Sequence, residues 1–334
     1  MDRKLTIYYS KKLFWFAARL FLLSLVVFYV ARMAPGDPLV SYYGDRVEKM
    51  TPQERIMAEE RLGLNQPLHT QYGKWLTNVL KGDFGISFKY KTDVKEVIGG
   101  RLGNTLLLGG TGFLLIFGLA LPLGCICALN EKKRLDRFLY RAGTLSSCIP
   151  EFWLALGLIF LFAVWLKILP GSGAYSTGGD KGPGDRIRHL ILPLTVLVAG
   201  HLWYYACLIR NRLLEEIRAD YVLLGKAKGL SDRRVLFYHC LPNILPSYFS
   251  IMAISLPHIL GGTYVVETVF SYPGIGTLCY ESARYKDYHL LMLLCLFTGA
   301  IVLLGNLAAQ IINERIDPRI RLEEAVRQGG GTDG

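Results

Sequence analysis

Six long apolar segments constrain this chain more than any other feature of its sequence. Each is long enough for a helix to cross a hydrocarbon layer of about 30 Å. Hydrophobic residues make up 51% of the chain and charged residues only 19%, which is more apolar than an ordinary soluble domain. The sequence therefore predicts an all-α polytopic membrane protein with six transmembrane helices, at 13–31, 105–129, 147–169, 190–209, 246–266 and 289–312.

Lysine and arginine are concentrated beside alternate ends of these segments. They precede the first segment, crowd the second and fourth connections and follow the last segment. Because cytoplasmic connections carry such an excess, both termini are predicted to be cytoplasmic. The net charge of +11 is explained by these basic clusters beside the span ends, where they contact lipid. The pattern predicts no nucleic-acid partner.

The order of the segments divides the chain into four regions. They are an N-terminal tail with the first span (1–31), an external structured loop (32–104), a five-span core (105–312) and a cytoplasmic tail (313–334). The first span is interpreted as uncleaved, because the following ARMAPGDP lacks a small-residue cleavage site. The glycine-rich third connection, PGSGAYSTGGDKGPGD, and the end of the tail are expected to be flexible.

The external loop carries clear signals of helix ends. Thr51 followed by Pro52 and Glu54 is typical of a capped helix start, and Gly63 is typical of a helix end. These signals predict a small structured region. The residues favour equally a lid on the spans and a docking surface for an external partner.

No sequence motif for catalysis or cofactor binding is present. GxSxG, HExxH and the phosphate-binding GxxxxGK[ST] are all absent, so the chain is predicted to be neither an enzyme nor an ATP-binding protein. The seven cysteines lie mostly inside predicted spans, which argues against a disulfide framework. Cys125 and Cys127 point to different helix faces, so packing is favoured over a metal site.

The fourth connection, 210–245, combines an amphipathic pattern with helix breakers. Apolar residues recur at helical spacing from Leu213 to Ala227, which predicts a helix that ends at Gly229. Ser231 is expected to cap a second short helix that reaches Cys240 and is ended by Pro242 and Pro246, where the fifth span begins. Such a pair of helices suits either an anionic lipid surface or a protein partner.

This connection resembles the cytoplasmic EAA loop of permease subunits of binding-protein-dependent ABC importers. Gly229 stands at the glycine position of that pattern, and Leu241 and Pro242 stand at its terminal Leu-Pro. The sequence departs from the pattern at Leu223, where the family has glutamate, and at His239, where it has an aliphatic residue. Both departures are common in the branch of dipeptide, oligopeptide and nickel permeases.

Further stretches similar to that branch follow one another along nearly the whole chain. They are ARMAPGDP, RLGLNQPLHTQYGKWLTNVLKGDFGISF, RLGNTLLL, SSCIPEFWLAL, HLILP, VVETVFSYPGIGT and DPRIR. The resemblance implies a type I ABC importer permease fold in the cytoplasmic (inner) membrane of a prokaryote. Its cargo would be short peptides or nickel, delivered by an extracytoplasmic binding protein.

The resemblance also implies partners and a coupling site. A second homologous permease and two ATPase subunits would complete the transporter, with ATP and Mg bound by the ATPases and no cofactor bound by this chain. The residues implied to couple the chain to an ATPase are Asp220, Tyr221, Ala227, Lys228, Gly229, Leu230, Ser231, Leu241 and Pro242.

Polar groups inside the predicted spans are candidates for the translocation path, because ionisable residues are costly in lipid. Glu151 is expected about two turns into the third span, His201 lies in the fourth, and His258 follows Pro257 in the fifth; Glu267 begins the next external loop. Each could instead form an interhelical hydrogen bond. His201 and His258 are candidate nickel ligands, but the sequence assigns no complete metal site.

Two other classes of function remain as alternatives. An intramembrane enzyme would need a nucleophile or metal set beside Glu151 or His201, and an ion channel would need a pore-loop filter. The sequence contains neither pattern, so both are less favoured than a permease. The choice between peptide and nickel stays open.

Overall fold

The computed structural model describes residues 3–33, 39–176, 178 and 182–316. Residues 34–38 of the ARMAPGDP stretch, the DPRIR stretch and the end of the tail lie outside these residues. Within them, the only β pairing is one isolated bridge between Ile86 and Asp93, which confirms the all-α class. The helices are α1 (Arg3–Met33), α2 (Val40–Tyr43), α3 (Pro52–Leu62), α4 (Leu68–Leu80), α5 (Val94–Leu129), α6 (Arg134–Cys148), α7 (Glu151–Leu158), α8 (Pro183–Ile217), α9 (Asp220–Ala227), α10 (Asp232–Val235), α11 (Leu241–Val269), α12 (Ile275–Arg284) and α13 (Tyr288–Ile316).

Three shorter helical stretches connect these elements. A 3-10 helix, Gly44–Lys49, follows α2, and π-helical stretches follow α7 at Ile159–Trp165 and α10 at Leu236–Cys240. Among the described residues, five helices are long and apolar enough to cross a membrane, and a bent pair makes a sixth span if it is counted as one. The five contain the predicted spans at 13–31, 105–129, 190–209, 246–266 and 289–312.

The predicted third span, 147–169, is not one straight helix. The chain is extended at Ile149, with φ −94° and ψ 115°, and Pro150 then precedes α7. The α6 and α7 parts meet at an angle of 98°. A proline disfavours helical backbone in the residue before it and has no N–H to donate, so the helix breaks here even though the surrounding residues are apolar.

Contacts between residues divide the chain into a smaller unit (1–103 and 274–304) and a larger unit (104–273 and 305–334). In the smaller unit, α3 starts as the sequence predicts. The Thr51 backbone N–H donates to Glu54 Oε2 at 2.8 Å, and the Glu54 N–H donates to Thr51 Oγ1 at 3.3 Å. Gly63 ends the helix at φ +67°. These local signals are therefore confirmed.

Asp287 joins distant parts of the smaller unit at the start of α13. Its side chain is fully buried and accepts hydrogen bonds from Ser87 Oγ at 2.5 Å and from the Lys89 N–H at 3.2 Å. The same carboxylate accepts from the Leu290 N–H at 3.4 Å, as a helix N-cap does. This residue therefore holds the 87–89 segment against the beginning of a spanning helix.

Glu281 on α12 makes a second connection to the same segment. It accepts hydrogen bonds from Tyr90 Oη and from Lys89 Nζ, the latter at 2.6 Å. Burial alone would raise the pKa of Glu281, but these two bonds outweigh it and the pKa lies below its usual range. Burial and the bond to Glu281 together raise the pKa of Tyr90 to about 12, so the phenol remains a donor at neutral pH.

The larger unit is built around side chains of α5, α8 and α11. Phe117, Tyr205 and Tyr248 pack ring against ring, with centroids 4.8 and 5.9 Å from that of Phe117. Tyr248 Oη also donates to the Phe117 carbonyl at 3.1 Å. A buried aromatic core of this kind fixes the relative positions of the three helices.

Asp136 and Arg210 form a buried ion pair between α6 and α8. The guanidinium donates through Nε and Nη2 to the two carboxylate oxygens, with Nη2 2.7 Å from Oδ2. The Lys132 N–H also donates to Oδ2, at 2.8 Å. Asp136 is 4% exposed, so its charge depends on these donors for compensation. The pair holds the end of α8 from which the fourth connection leaves.

The described part of the third connection is hydrogen-bonded to the elements that flank it. The Gly173 N–H donates to the Phe270 carbonyl at 2.8 Å, and Ser176 Oγ donates to Asp185 at 2.6 Å. Arg186 donates to Tyr175 Oη at 3.0 Å. These hydrogen bonds attach the described part of the connection to the end of α11 and the start of α8, and its flexibility stays a prediction.

Candidate functional site

A cavity of about 640 Å³ lies between α8 and α11 in the larger unit. The α8 side contributes residues at positions 200, 201, 204, 205 and 208, and the α11 side contributes 251, 254, 255 and 258. Each set recurs at helical spacing and therefore shares one helix face. The polar members are His201, Tyr204, Tyr205, Ser255 and His258.

Glu151 and His201 form a contact beside this cavity. The Glu151 Oε1 atom is 3.3 Å from His201 Nδ1, and the same nitrogen is 3.0 Å from the Leu197 carbonyl oxygen. Both neighbours are acceptors, so Nδ1 carries a hydrogen. The imidazole is thus held by α7 and by its own helix, and its ring lies parallel to that of Tyr205, with 9° between the planes.

Two glycines make room for this pair. A Cβ atom on Gly262 would lie 2.9 Å from His201 Cε1 and 3.2 Å from each Glu151 carboxylate oxygen. A Cβ on Gly200 would lie 3.0 Å from Glu151 Oε1. Small residues let helices approach closely in membranes, and here they allow α11 and α8 to close around the carboxylate.

The structure brings together some of the predicted path residues and separates another. Glu151 and His201 are in contact, and His201 and His258 line the same cavity, while Pro257 lies inside α11. Glu151 is the first residue of α7 and not two turns into a span, because the helix breaks before Pro150. Glu267 is in the last turn of α11, fully buried, and accepts from Thr105 Oγ1 at 2.6 Å, so it does not begin a loop.

Three lining residues were missed by reasoning from ionisable groups alone. Tyr204 and Tyr205 follow His201 by three and four positions, and Ser255 precedes His258 by three. Helical spacing from the two histidines would have found them. Within the described residues, no group of three or more His, Cys, Asp or Glu side chains is placed to hold a metal ion.

The fourth connection forms a short helix and a tight bend, as predicted, but with different limits. The long helix α8 ends at Ile217, and α9 (Asp220–Ala227) starts after a turn. The predicted single helix from Leu213 to Ala227 is therefore wrong, because the chain turns at Arg218 and Ala219. Leu213 and Ile217 belong to the helix that leaves the core.

The bend after α9 has the hydrogen bonds of a Schellman motif. The Leu230 N–H donates to the Gly225 carbonyl at 3.1 Å, and the Gly229 N–H donates to the Lys226 carbonyl at 2.9 Å. Gly229 has φ +83°, a conformation that glycine adopts without a steric penalty. Ser231 Oγ then accepts from the Arg234 N–H at 3.4 Å, which confirms the predicted cap.

The helix that starts at Asp232 does not end at Pro242 or Pro246. It continues through the π-helical stretch to Val269 as one element. In the π stretch, the Leu241 N–H donates to the Leu236 carbonyl, five residues back. This wider turn lies directly before Pro242 and leaves more room for its ring than an α-helical turn does. Pro246 and Pro257 lie inside α11 itself. Prolines here shape the helix instead of ending it.

One face of this segment is anchored and the other is exposed. Val222, Val235 and Leu236 are buried in the core of the larger unit. Tyr221 Oη donates to Glu216 Oε2 at 2.5 Å; burial and this bond raise the pKa of Tyr221, so the phenol stays protonated. The exposed face presents four large apolar residues and several cations, namely Leu223, Leu224, Phe237, Tyr238, Lys228, Arg233 and Arg234.

Comparisons with known proteins agree with this architecture. Residues 120–322 match the family "Binding-protein-dependent transport system inner membrane component", and residues 8–109 match the N-terminal membrane component of such systems. The oligopeptide transport system permease protein AppB of Bacillus subtilis (strain 168) is 34% identical over 299 residues, which cover 89% of this chain and 94% of AppB. OppB of Haemophilus influenzae is 33% identical over 305 residues, covering 90% and 95%.

A solved structure shows the same fold. In the inward-facing MetNI methionine ABC transporter, one chain superposes with a TM-score of 0.55 at 17% identity, covering 66% of this chain and 97% of the MetNI chain. The general partners of such a subunit are ATPase subunits, a permease partner and a binding protein. The chain belongs to the inner-membrane component family of binding-protein-dependent transport systems, and it is a multi-pass permease subunit of an ABC importer and not an enzyme.

Proposed function

We propose that this permease carries short peptides and that the cavity between α8 and α11 lies on their path. The cavity of about 640 Å³ is the observation that supports this most directly, since sites for small ligands have volumes of roughly 300–1,000 Å³. Its phenols, imidazoles and hydroxyl supply both donors and acceptors, as a peptide backbone requires. Relatives that share about a third of the sequence are named oligopeptide permeases.

Nickel is the less supported cargo. His201 and His258 line one cavity, and imidazole suits nickel. However, the described residues hold no group of three or more metal-ligating side chains. The Glu151 carboxylate is engaged with His201, so it is not arranged as a ligand that the two imidazoles share.

We also propose that the α9–α10 bend docks on an ATPase subunit. Through this contact, closing of the ATPase subunits would be transmitted to the membrane-spanning helices. The exposed apolar and basic face supports a protein partner, because large apolar side chains with a basic rim are typical of interfaces. Asp220, Tyr221, Ala227, Lys228, Leu230 and Ser231 would shape this face around Gly229. Leu241 and Pro242, in the continuous helix, would carry the motion into the membrane.

The complete transporter is proposed to contain two ATPase subunits that bind ATP and Mg, a second related permease and an extracytoplasmic binding protein. This chain would bind none of the nucleotide, because it has no phosphate-binding loop. The two ATPases would each contact one permease, which gives the bend of this chain one partner surface.

Filling the cavity should block peptide transport. Ile254 lines the cavity and is 68% exposed, so Ile254→Trp should fold while narrowing the space. A loss of about 1.4 kcal/mol in binding of the peptide along the narrowed path would lower uptake roughly tenfold. The measurement is uptake of a labelled tripeptide by the reconstituted importer with its binding protein.

Leu114→Trp is the matched control, because Leu114 is 69% exposed on α5 and does not line the cavity. It should transport normally. Equal uptake by both variants would place the path elsewhere. Uptake of nickel but of no peptide by the unmodified importer would reject the proposed cargo. The same two variants would then test the path with nickel.

We further propose that both termini are cytoplasmic, on the basis of the Lys/Arg distribution. In a background without native cysteines, Asn78→Cys should react with a membrane-impermeant maleimide in intact cells. Lys133→Cys, in the second connection and exposed, should react only after the membrane is permeabilised. The reverse pattern of labelling would invert the topology.

A further inference from the structure

A basic groove lies between the 3-10 helix and α3 in the smaller unit. Its volume is about 530 Å³. Arg46 and Lys49 of the 3-10 helix line one wall, together with Tyr43 at the end of α2. Side chains three apart in a 3-10 helix are aligned, so the two cations share one face. The other wall is one face of α3, formed by Glu54, Met57, Ala58 and Arg61. The groove is thus built by the regular faces of two helices.

The groove has an excess of positive charge. Arg46, Lys49 and Arg61 make no ion pair or hydrogen bond through their side chains within the described part of the chain. The one carboxylate in the lining, Glu54, accepts hydrogen bonds from the N–H and the hydroxyl of Thr51, at 2.8 and 2.9 Å. Three cations and one carboxylate therefore line the groove, and none of the three cations is paired with a carboxylate in the part of the chain that the structure describes.

The groove lies beside the end of a membrane-spanning helix. The ring of Tyr42, next to the lining residue Tyr43, packs on His289 with 4.9 Å between the centroids. His289 is the second residue of α13, one of the helices long enough to cross the membrane. This contact places the start of the 3-10 helix beside the first turn of α13, within reach of a lipid headgroup at the end of that span.

We infer that this groove binds the phosphate of an anionic phospholipid. Arg46, Lys49 and Arg61 would pair with the headgroup, since arginine and lysine make strong charge-assisted bonds to phosphate. Met50 and Met57, which also line the groove, would contact the glycerol and the first part of the acyl chains. On the cytoplasmic side of membranes, basic pockets between spanning helices bind anionic headgroups, and the same pairing of charges would act in this external groove. The inference is independent of which cargo is transported.

The test uses the full-length chain in its purified importer complex, titrated with phosphatidylglycerol or phosphatidylcholine and analysed by native mass spectrometry. The groove variant is R46Q/K49Q/R61Q. The control is K74Q/K81Q/K95Q, which removes the same charge from exposed side chains of the same unit. Each cation near a headgroup contributes about 1 kcal/mol, or about fivefold in affinity. The groove variant should therefore lose at least about tenfold in phosphatidylglycerol affinity and keep its affinity for phosphatidylcholine.

The control variant should bind phosphatidylglycerol within about twofold of the unmodified complex. An equal loss in both variants, or no loss in either, would overturn the inference. Displacement of the lipid by an equal concentration of inorganic phosphate would identify a site for free anions and reject the lipid. If the triple variant does not assemble, K49Q alone should still show about a fivefold loss.

Discussion

Gly229→Val should remove most of the stimulation of ATP hydrolysis by loaded binding protein, while the importer complex still assembles. Gly229 has φ +83°, and left-handed backbone costs a residue with a Cβ atom about 1–2 kcal/mol, more for a β-branched side chain. No atom lies within 4 Å of a Cβ placed on Gly229. The strain would therefore come from the backbone alone and would be relieved by a change in the bend.

A changed bend would move the exposed face that we propose as the docking surface. The Lys226 Nζ–Asp232 Oδ1 contact of 2.9 Å joins the two sides of the bend, and the Leu230 N–H to Gly225 carbonyl bond closes it. Losing this geometry redirects the start of the helix that carries Phe237 and Tyr238. The spanning helices should stay folded, because Gly229 itself is exposed.

The measurement is ATPase activity of the reconstituted importer, with and without loaded binding protein, together with peptide uptake. Both should fall by at least about tenfold in Gly229→Val, because strain of 1–2 kcal/mol corresponds to about that factor. Gly229→Asn is the control, since asparagine adopts left-handed backbone more readily and should retain most of the stimulation. A valine variant with full stimulation would instead support a role of this segment at the lipid surface.

Asp136→Ala should destabilise the chain by about 3 kcal/mol, the second large effect that we expect. Removing one member of a buried ion pair leaves the other charge uncompensated, which costs about 3–5 kcal/mol. Asp136 is 4% exposed and the Arg210 side chain 15%, so water replaces the carboxylate only partly. The Lys132 N–H also loses its acceptor.

Thermal unfolding of the purified complex in detergent measures this effect. Glu131→Ala is the matched control, because Glu131 pairs with Arg218 at 2.7 Å and the Arg218 side chain is 67% exposed. An exposed pair contributes at most about 1 kcal/mol, so the control should unfold close to the unmodified temperature. Similar losses in both variants would show that burial of the Asp136–Arg210 pair does not raise the cost of removing its carboxylate.

Local signals in the sequence determined the ends of several helices. Thr51, Gly63, Gly229 and Ser231 act through hydrogen bonds or backbone angles within a few residues of themselves, so their roles could be predicted from their neighbours. Five spans were predictable for a similar reason, because a long apolar run needs no partner to be recognised. The family resemblance followed from the order of such short stretches.

Tertiary structure decided the candidate site and the course of two spans. Glu151 and His201 are 50 residues apart and meet only because Gly200 and Gly262 let α8 and α11 close around them. The helix from Asp232 to Val269 continues through Pro242, Pro246 and Pro257, whereas the apolar run at 147–169 breaks before Pro150. A proline has the same local cost in both places, but the hydrogen bonds and packing around it decide whether the helix continues. Those contacts join residues distant in sequence, so spacing and composition do not contain them.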